Sequence, residues 1–290
     1  MSTNWNAQYL KDSRTAMWND DYMEFLIEKV WKINKPVNIV DFGCGVGFMG
    51  LMLLPLLPKG SAYTGIDISA DLIKEAEKIF ENSPYQTSFI VKDLLEYIPE
   101  QKYDIAVCQT LLQHIPNPKR ILEKMKNSVA DGGKVICVEI DVITAIAAAY
   151  YHGIKQSEVI NLKNYQKLIE KAENEKDIHG HIGMKVPVFM QEVGLKNIDV
   201  RVNDYVQFIN PKGDKEKHEK DIKSYMSGPQ TRKPDNKDSS VAWYIERGYT
   251  EKEAEEQYNC QLAFYEYISK NINYTYILNA RCLFISYGVV

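Results

Sequence analysis

A glycine-rich segment and a carboxylate downstream of it carry the strongest chemical signal in the sequence. The segment covers residues 39–47 (IVDFGCGVG), and its first four residues belong to a short apolar strand predicted over 37–42. Glycine permits a tight turn and lets a ligand approach the backbone closely, and a helix that begins there offers free N–H donors. Asp67 follows the next predicted strand, 62–66, twenty residues after Gly47. A carboxylate there can accept hydrogen bonds from both hydroxyls of an adenosine ribose.

Other interpretations of these residues stay open. Residues 45–50 (GVGFMG) also fit the GxGxxG pattern of NAD and FAD enzymes. Tyr151 and Lys155 form a Tyr-x-x-x-Lys pair, as in short-chain dehydrogenases, although chance alone supplies about two such pairs in a chain this rich in both residues. Asp67 itself could be an acid that favours the start of a helix near Ser69.

The pattern around these residues alternates between strand and helix. Strands are predicted over 37–42, 62–66, 88–91, 103–108 and 134–139, with a turn at 131–133. Helices are predicted within residues 1–35 and over 48–57, 71–82 and 118–129. Strands that alternate with helices form βαβ units, which require a parallel sheet with right-handed crossovers.

The second half of the chain is less regular. Helices are predicted over 142–151 and 187–193, and strands over 197–202 and 281–287. Between these two strands, residues 210–276 contain a Lys/Glu run that is typical of a solvated helix face. We expect that stretch to be a mostly helical insertion.

Together, the segment 39–47, Asp67, Lys92-Asp93-Leu94, the run QTLLQH (109–114) and the turn ADGG (130–133) resemble the class I S-adenosylmethionine (SAM) dependent methyltransferases. The resemblance covers residues 37–142 well. It implies a Rossmann-like, doubly wound α/β fold. That fold has a mostly parallel seven-stranded sheet with an antiparallel terminal strand, here combined with an N-terminal helical arm and a helical insertion.

The resemblance implies a site for SAM and its product S-adenosylhomocysteine. In the family, the glycine segment lies against the methionine and ribose, the acid matching Asp67 binds the ribose, and the acid matching Asp93 faces the adenine amine. A helix before the first strand often closes over SAM, where an arginine could pair with the cofactor carboxylate. The residues expected to bind the cofactor are Tyr9, Arg14, Asp41, Gly43, Cys44, Gly45, Gly47, Asp67, Ile68, Asp93, Leu94 and Gln109.

A catalytic role is carried by one candidate, His114, which follows the fourth predicted strand. It could contact the acceptor or act as a base, or it could pack under the cofactor pocket. His179 and His181 stand beside Asp177, but two histidines without further ligands are a weak metal signal, so we expect no metal. Cys44 is interpreted as a small residue that fits the loop and not as a nucleophile.

Composition limits the classes of function. With 45% hydrophobic and 26% charged residues the chain is of globular type. A formal net charge of -4 gives no support for gripping nucleic acid or an anionic membrane. The N-terminus lacks the apolar stretch of a secretory signal, and the five cysteines form no CxxC pair. We therefore expect a cytoplasmic protein whose partner is a small molecule, without nucleic acid or membrane.

Three regions are expected: an N-terminal helical arm (1–36), a SAM-binding α/β core (37–209 plus 277–290) and the insertion (210–276) as a candidate substrate lid. Aromatic residues beyond the core could line an acceptor pocket: Tyr150, Tyr151, Tyr205, Phe208, Trp243 and Tyr244. The expected reaction is in-line displacement that moves a methyl group from SAM to a small-molecule acceptor. The alternatives are an NAD(P)-dependent oxidoreductase and a SAM-binding regulatory protein without turnover.

Overall fold

A computed structural model describes residues 17–176 and 179–290 of the chain. Within these residues the strands are β1 (Asn38–Phe42), β2 (Ala62–Asp67), β3 (Gln86–Val91), β4 (Tyr103–Gln109), β5 (Val129–Ile140), β6 (Ala149–Tyr151), β7 (Lys196–Val202), β8 (Val206–Ile209), β9 (Ile277–Ala280) and β10 (Leu283–Val289). The helices are α1 (Asp20–Phe25), α2 (Phe48–Leu53), α3 (Ala70–Phe80), α4 (Pro118–Ser128), α5 (Val142–Ala147), α6 (Gln156–Val159), α7 (Leu162–Lys176), α8 (Ile182–Glu192), α9 (Lys215–Met226), α10 (Lys237–Ile245) and α11 (Glu251–Asn271). Short 3₁₀ turns lie at Leu112–His114 and Pro229–Thr231.

The larger sheet has seven strands in the order β3-β2-β1-β4-β5-β10-β7. Strands β1 to β5 pair in parallel, whereas β10 is antiparallel to both β5 and β7. The mostly parallel sheet with an antiparallel terminal strand confirms the Rossmann-like fold. Since parallel strands share a direction, the carboxyl ends of β1, β2, β3, β4 and β5 meet at one edge of the sheet, where ligands bind in open α/β folds.

The central strands are buried on both faces, as expected for a parallel sheet covered by helices. Residues Val135, Cys137 and Val138 of β5 are fully buried, and so are Ala106 and Val107 of β4. These continuous apolar runs explain why the strands could be recognised without an alternating pattern.

The chain divides into two compact units. Unit 1 contains residues 17–141, 181–204 and 283–290, and therefore the whole seven-stranded sheet. Unit 2 contains the described residues of 142–180 and 205–282. The division differs from the expected regions. The described residues of 142–180, together with 205–209 and 277–282, were expected in the core but group with the insertion, and residues 17–36 group with the core.

Unit 2 has its own three-stranded antiparallel sheet, in the order β6-β9-β8, which the sequence did not predict. The single helix expected over 142–151 was wrong, because the helix ends at Ala147 and residues 149–151 pair with β9 as a strand. The mostly helical character of residues 210–276 is confirmed by α9, α10 and α11. Helix α7 was missed.

Two further boundaries in unit 1 differ from the predictions. The turn expected at 131–133 lies within the long strand β5, where Gly132 adopts a φ of +79°. Helix α8 begins at Ile182 and not at Pro187. Its first turn packs closely on the end of β5, since a Cβ at Gly183 would lie 2.9 Å from the carbonyl oxygen of Glu139.

The segment that precedes the sheet is fastened to β7 and to the loop that follows it. Helix α1 continues as a π-helical turn at Leu26–Val30, so the helix ends earlier than the predicted residue 35. The hydroxyl of Tyr22 donates to the carbonyl oxygen of Val202 at 2.8 Å, and the side-chain amide of Asn203 donates to the carbonyl oxygen of Met17 at 2.6 Å.

Among the residues the structure describes, no helix combines the length and the apolar character needed to cross a membrane.

Candidate functional site

The loop between β1 and α2, residues 43–47, is called the glycine loop. Gly43, Gly45 and Gly47 all adopt left-handed backbone conformations, with φ of +70°, +55° and +79°. Residues with a Cβ rarely adopt this conformation, which explains the glycines. The first two amides of the loop donate to the carbonyl oxygen of Ile66 at 2.8 and 3.0 Å. The loop is therefore folded tightly against the end of β2.

Neighbouring side chains leave no room for a Cβ at two of the glycines. A Cβ at Gly43 would lie 2.6 Å from Cδ1 of Leu111, and one at Gly47 would lie 2.8 Å from Cε2 of Phe80. A side chain at either position would have to displace Leu111 or Phe80 and would also be strained by the left-handed backbone, so both positions favour glycine.

Asp67 ends β2 and joins the glycine loop to the start of α3. One carboxylate oxygen accepts a hydrogen bond from the amide of Gly45 at 2.9 Å, and the other accepts from the amide of Ser69 at 2.9 Å. Ser69 in turn caps α3. The half-buried carboxylate keeps acceptor capacity beyond these two bonds, because an ionised carboxyl offers about four lone-pair sites. The structure thus brings together the two features that the sequence singled out.

Asp41, the penultimate residue of β1, is almost completely buried. Its Oδ2 accepts a hydrogen bond from the hydroxyl of Tyr63, while Oδ1 is buried without a hydrogen-bond partner among the described residues. Burial raises the pKa of Asp41 to about 7, with a further increase from the negative charge of Asp67, although the Tyr63 hydrogen bond acts in the opposite direction. The side chain is therefore poised to change its charge near neutral pH.

Cys44 packs beneath the glycine loop. A Cβ at Gly65 of β2 would lie 2.7 Å from its sulfur, so the thiol occupies the space that Gly65 leaves open. Burial, together with the nearby carboxylates of Asp41 and Asp67, raises the pKa of the thiol. A neutral, buried thiol is a packing group and a poor nucleophile.

The residues expected at the adenosine end differ in exposure. Ile68 is 70% exposed next to Asp67, which leaves an apolar side chain open to a ligand. Asp93 is half-buried, and its Oδ1 accepts a hydrogen bond from the amide of Leu95 at 2.8 Å. Leu94 is buried in the hydrophobic core, so only its backbone could contact a ligand.

The segment after β4 holds the candidates for the methionine end and for catalysis. Gln109 is buried, and its side-chain amide lies 3.7 Å from the sulfur of Met17. His114 ends the 3₁₀ turn, and its side chain is exposed. The side chain of His114 is therefore open to solvent, whereas that of Gln109 faces the N-terminal segment.

Two buried carboxylates at the end of β5 were missed. Glu139 accepts hydrogen bonds from the amides of Leu111 and Leu112. Asp141 lies 2.9 Å from Nδ1 of His181. Their signal in the sequence is a pair of acids closing an apolar strand, as in VEID (138–141), since charged residues are rarely buried unless they are paired.

The remaining candidates do not add to this site. Tyr9 and Arg14 lie outside the described residues, as does Asp177. In the described ranges no group of three or more His, Cys, Asp and Glu side chains could hold a metal ion. Tyr151 is buried and accepts a hydrogen bond from Tyr225, whereas Lys155 is 82% exposed in an ion pair with Glu158.

The strand order, the antiparallel β10 and the glycine loop after β1 define a Rossmann-like methyltransferase fold. The family model described as a methyltransferase domain matches residues 33–178, just over half of the chain. The chain belongs to this methyltransferase domain family.

Similar proteins agree with this family. A ubiquinone biosynthesis O-methyltransferase of Glaesserella parasuis is 30% identical over 149 residues, which is 47% of this chain and 60% of that protein. An uncharacterised protein of Methanocaldococcus jannaschii is 34% identical over 110 residues, which is 37% of this chain and 30% of that protein. The chain spans less than two thirds of the length of these curated relatives.

One solved structure shares the fold over nearly the whole chain. It is phosphoethanolamine N-methyltransferase 2 of Haemonchus contortus in complex with phosphomonomethylethanolamine and S-adenosylhomocysteine. The match has a TM-score of 0.53 at 12% identity and covers 99% of this chain and 58% of that chain. At this identity the likeness shows the fold alone.

Proposed function

We propose that this protein is a SAM-dependent methyltransferase that transfers a methyl group to a small-molecule acceptor by in-line displacement. The observation that carries the proposal is the pairing of Asp67 with the glycine loop. The amide of Gly45 holds this carboxylate at the end of the strand next to β1, and this position would let it bind a ribose beside the loop. Membership of the methyltransferase domain family supports SAM as the ligand.

The residues present fit this cofactor. Asp67 uses one acceptor site on each oxygen for backbone amides and keeps others for the two hydroxyls of a ribose. Ile68 offers an exposed apolar face beside it, and Asp93 follows the next strand on the side where adenine would lie. The three glycines let the loop follow the left-handed path that brings the amide of Gly45 to the Asp67 carboxylate, and Gly43 keeps part of its surface exposed.

The same geometry assigns a task to each end of the site. The β2 and β3 end would hold the adenosine through Asp67 and Asp93. The glycine loop with Asp41 and Gln109 would hold the methionine part. When bound, SAM supplies a methyl group on a positively charged sulfur. Positioning alone accounts for much of such a rate, at best roughly 7–11 kcal/mol, so no catalytic triad is required.

His114 is the proposed contact to the acceptor. Its exposed side chain follows β4, adjacent to β1 in the sheet, and so lies at the edge where the methionine part would be held. It would act as a base only if the acceptor had to lose a proton before transfer.

The acceptor is proposed only as a small molecule. Relatives named for ubiquinone biosynthesis and for malonyl-[acyl-carrier protein] differ in what they methylate, so neither acceptor is transferred to this chain. The net charge of -4 supports an acceptor other than nucleic acid. We extend the proposal to a cytoplasmic location and to residues 210–276 as a lid. If cofactor and acceptor analogues did not change the rate at which a protease cleaves residues 210–276, the lid proposal would be contradicted.

An NAD(P)-dependent oxidoreductase is disfavoured by one specific observation. The Tyr151 hydroxyl is buried against Tyr225, and Lys155 is exposed and paired with Glu158. In their present positions these two side chains do not form the exposed pair that a dehydrogenase of that type would need. The GxGxxG match at 45–50 then remains the only support for a nicotinamide cofactor.

Calorimetric titration tests the cofactor. We expect S-adenosylhomocysteine to bind the full chain and NADPH not to bind. Asp67→Ala should weaken S-adenosylhomocysteine binding by about tenfold or more, the lower end for loss of a charged hydrogen bond. Asp71→Ala is the matched control, because Asp71 is an exposed acid in the first turn of α3. Tight NADPH binding without S-adenosylhomocysteine binding would overturn the proposal.

Turnover is tested separately with methyl-labelled SAM and metabolite pools. Transfer of label to a low-molecular-weight compound supports an enzyme. Binding of S-adenosylhomocysteine with no transfer to any pool would instead favour a SAM-binding regulatory protein.

A further inference from the structure

Glu139 connects two neighbouring strands at the edge where the candidate site lies. It is fully buried near the end of β5. Its Oε1 accepts hydrogen bonds from the amides of Leu111 and Leu112, both at 3.0 Å, and the sulfur of Cys108 lies 3.7 Å from the same oxygen. A single carboxylate oxygen therefore holds two consecutive backbone amides at the start of the segment that follows β4.

That segment leaves β4 through a strained residue. Thr110 adopts a φ of +48°, a left-handed conformation that residues with a side chain seldom take. Its amide donates to the carbonyl oxygen of Val138 at 2.8 Å, and the next two amides go to Glu139. Strain of this kind persists only where the surroundings fix it, and it concentrates at functional sites.

The held segment in turn presses on the glycine loop. A Cβ at Gly43 would lie 2.6 Å from Cδ1 of Leu111, so the Leu111 side chain rests directly on the loop. Leu112 is fully buried in the core. Displacement of the Leu111 amide would therefore shift both the segment after β4 and the glycine loop, which together would hold the methionine part of the cofactor.

We propose that Glu139 is a positioning residue of the cofactor site, which fixes the segment after β4 against the glycine loop through its two amide hydrogen bonds. The inference rests on the proposed function for its cofactor but concerns a residue that the family motifs above do not include. Glu139 acts through Leu111 and Leu112 and does not itself touch the cofactor.

Two substitutions separate this role from simple burial of a side chain. Glu139→Gln keeps an acceptor oxygen for both amides, whereas Glu139→Met has a similar length and no such oxygen. In calorimetric titrations of the full chain with S-adenosylhomocysteine, we expect Glu139→Met to lose about tenfold or more in affinity and Glu139→Gln to stay within about threefold of the unmodified protein. Asp141→Asn is the control, because it alters a buried carboxylate directly after the same strand, and the partner of that carboxylate is His181.

Hydrogen exchange keeps the test decisive if Glu139→Met does not fold. In the unmodified protein and in Glu139→Gln, the amides of Leu111 and Leu112 should exchange slowly. Rapid exchange of both amides, equal loss of affinity in both Glu139 variants, or unchanged affinity in Glu139→Met would overturn the inference. If the unmodified protein bound no S-adenosylhomocysteine, the proposed function would fail. The exchange rates would still show whether Glu139 holds the amides of Leu111 and Leu112.

Discussion

The two units differ in the kind of polar group that they bury. Among the described residues the buried carboxylates are Asp41, Glu139 and Asp141, and all three belong to unit 1. The buried polar side chains of unit 2 are amides and hydroxyls, among them Asn164 and Gln257. Burying a charge is far more expensive than burying a neutral group that is hydrogen-bonded. Each of the three acids is held by polar partners within unit 1: Asp41 by Tyr63, Glu139 by two backbone amides and Asp141 by His181.

Unit 2 uses its neutral groups to join its own elements. The side-chain amide of Asn164 on α7 donates to the carbonyl oxygen of Glu253 on α11 at 3.1 Å, and the hydroxyl of Tyr249 donates to the backbone of Asn164. The ion pair of Lys237 with Glu255 in the same unit lies toward solvent, where it contributes little. The neutral buried groups of unit 2 thus hold its helices together, and the contrast with unit 1 can be tested by matched substitutions.

Glycine substitutions should show the largest difference. Gly47 (φ +79°) is enclosed by Phe80, whereas Gly248 (φ +87°) in unit 2 faces only the flexible side chain of Lys171 at 3.2 Å. Gly47→Ala combines strain with overpacking and should lower the free energy of unfolding by about 2–4 kcal/mol. Gly248→Ala adds strain alone, about 1–2 kcal/mol. Urea unfolding measures both changes.

Ligand binding separates the two glycines further. S-adenosylhomocysteine affinity should fall by about tenfold or more in Gly47→Ala, because the loop must move to accept the methyl group. Gly248→Ala should bind like the unmodified protein. Equal binding in the two variants would mean that the left-handed glycines of unit 1 serve only its fold.

The glycine loop and its neighbour Asp67 could be predicted because their signals are local. Residues 39–47 and Asp67 lie at strand ends whose apolar runs are visible in the sequence, and the left-handed turns require glycine. The role of Glu139 could not be predicted, because its partners Leu111 and Leu112 come from another strand connection. The second sheet could not be predicted for a similar reason. Its strands β6 and β9 have only three and four residues, and they pair across more than a hundred positions of the sequence.

Asp41 offers the next test, because an acid that is buried neutral responds to pH in a distinctive way. Its pKa is raised from 3.8 to about 7 on folding, so the folded protein binds more protons than the unfolded chain between these values. Stability from this group is therefore present at low pH and falls as the pH rises from about 4 to about 7. Asp41→Asn keeps a neutral side chain at every pH and should remove that loss.

The measurement is urea unfolding of both proteins between pH 5 and pH 8. We expect Asp41→Asn to gain stability over the unmodified protein as the pH increases, by about 1–4 kcal/mol at pH 8. The difference between the two proteins cancels the titration of all other groups. A difference that stayed constant with pH would show that Asp41 is ionised throughout, as an ordinary exposed acid of unit 2 would be.

The smallest effect is expected at the start of α11, where a substitution tests the stability of unit 2 and not the site in unit 1. Thr250 and Glu253 form a capping box, in which Thr250 Oγ1 accepts from the amide of Glu253 at 3.3 Å and Glu253 accepts from the amide of Thr250 at 3.1 Å. Thr250→Ala removes one half of this exchange and should lower the free energy of unfolding by about 1 kcal/mol. Because the cap belongs to unit 2 and serves only its helix, S-adenosylhomocysteine affinity should not change. A weakened affinity in Thr250→Ala would contradict the assignment of this cap to the stability of α11 alone.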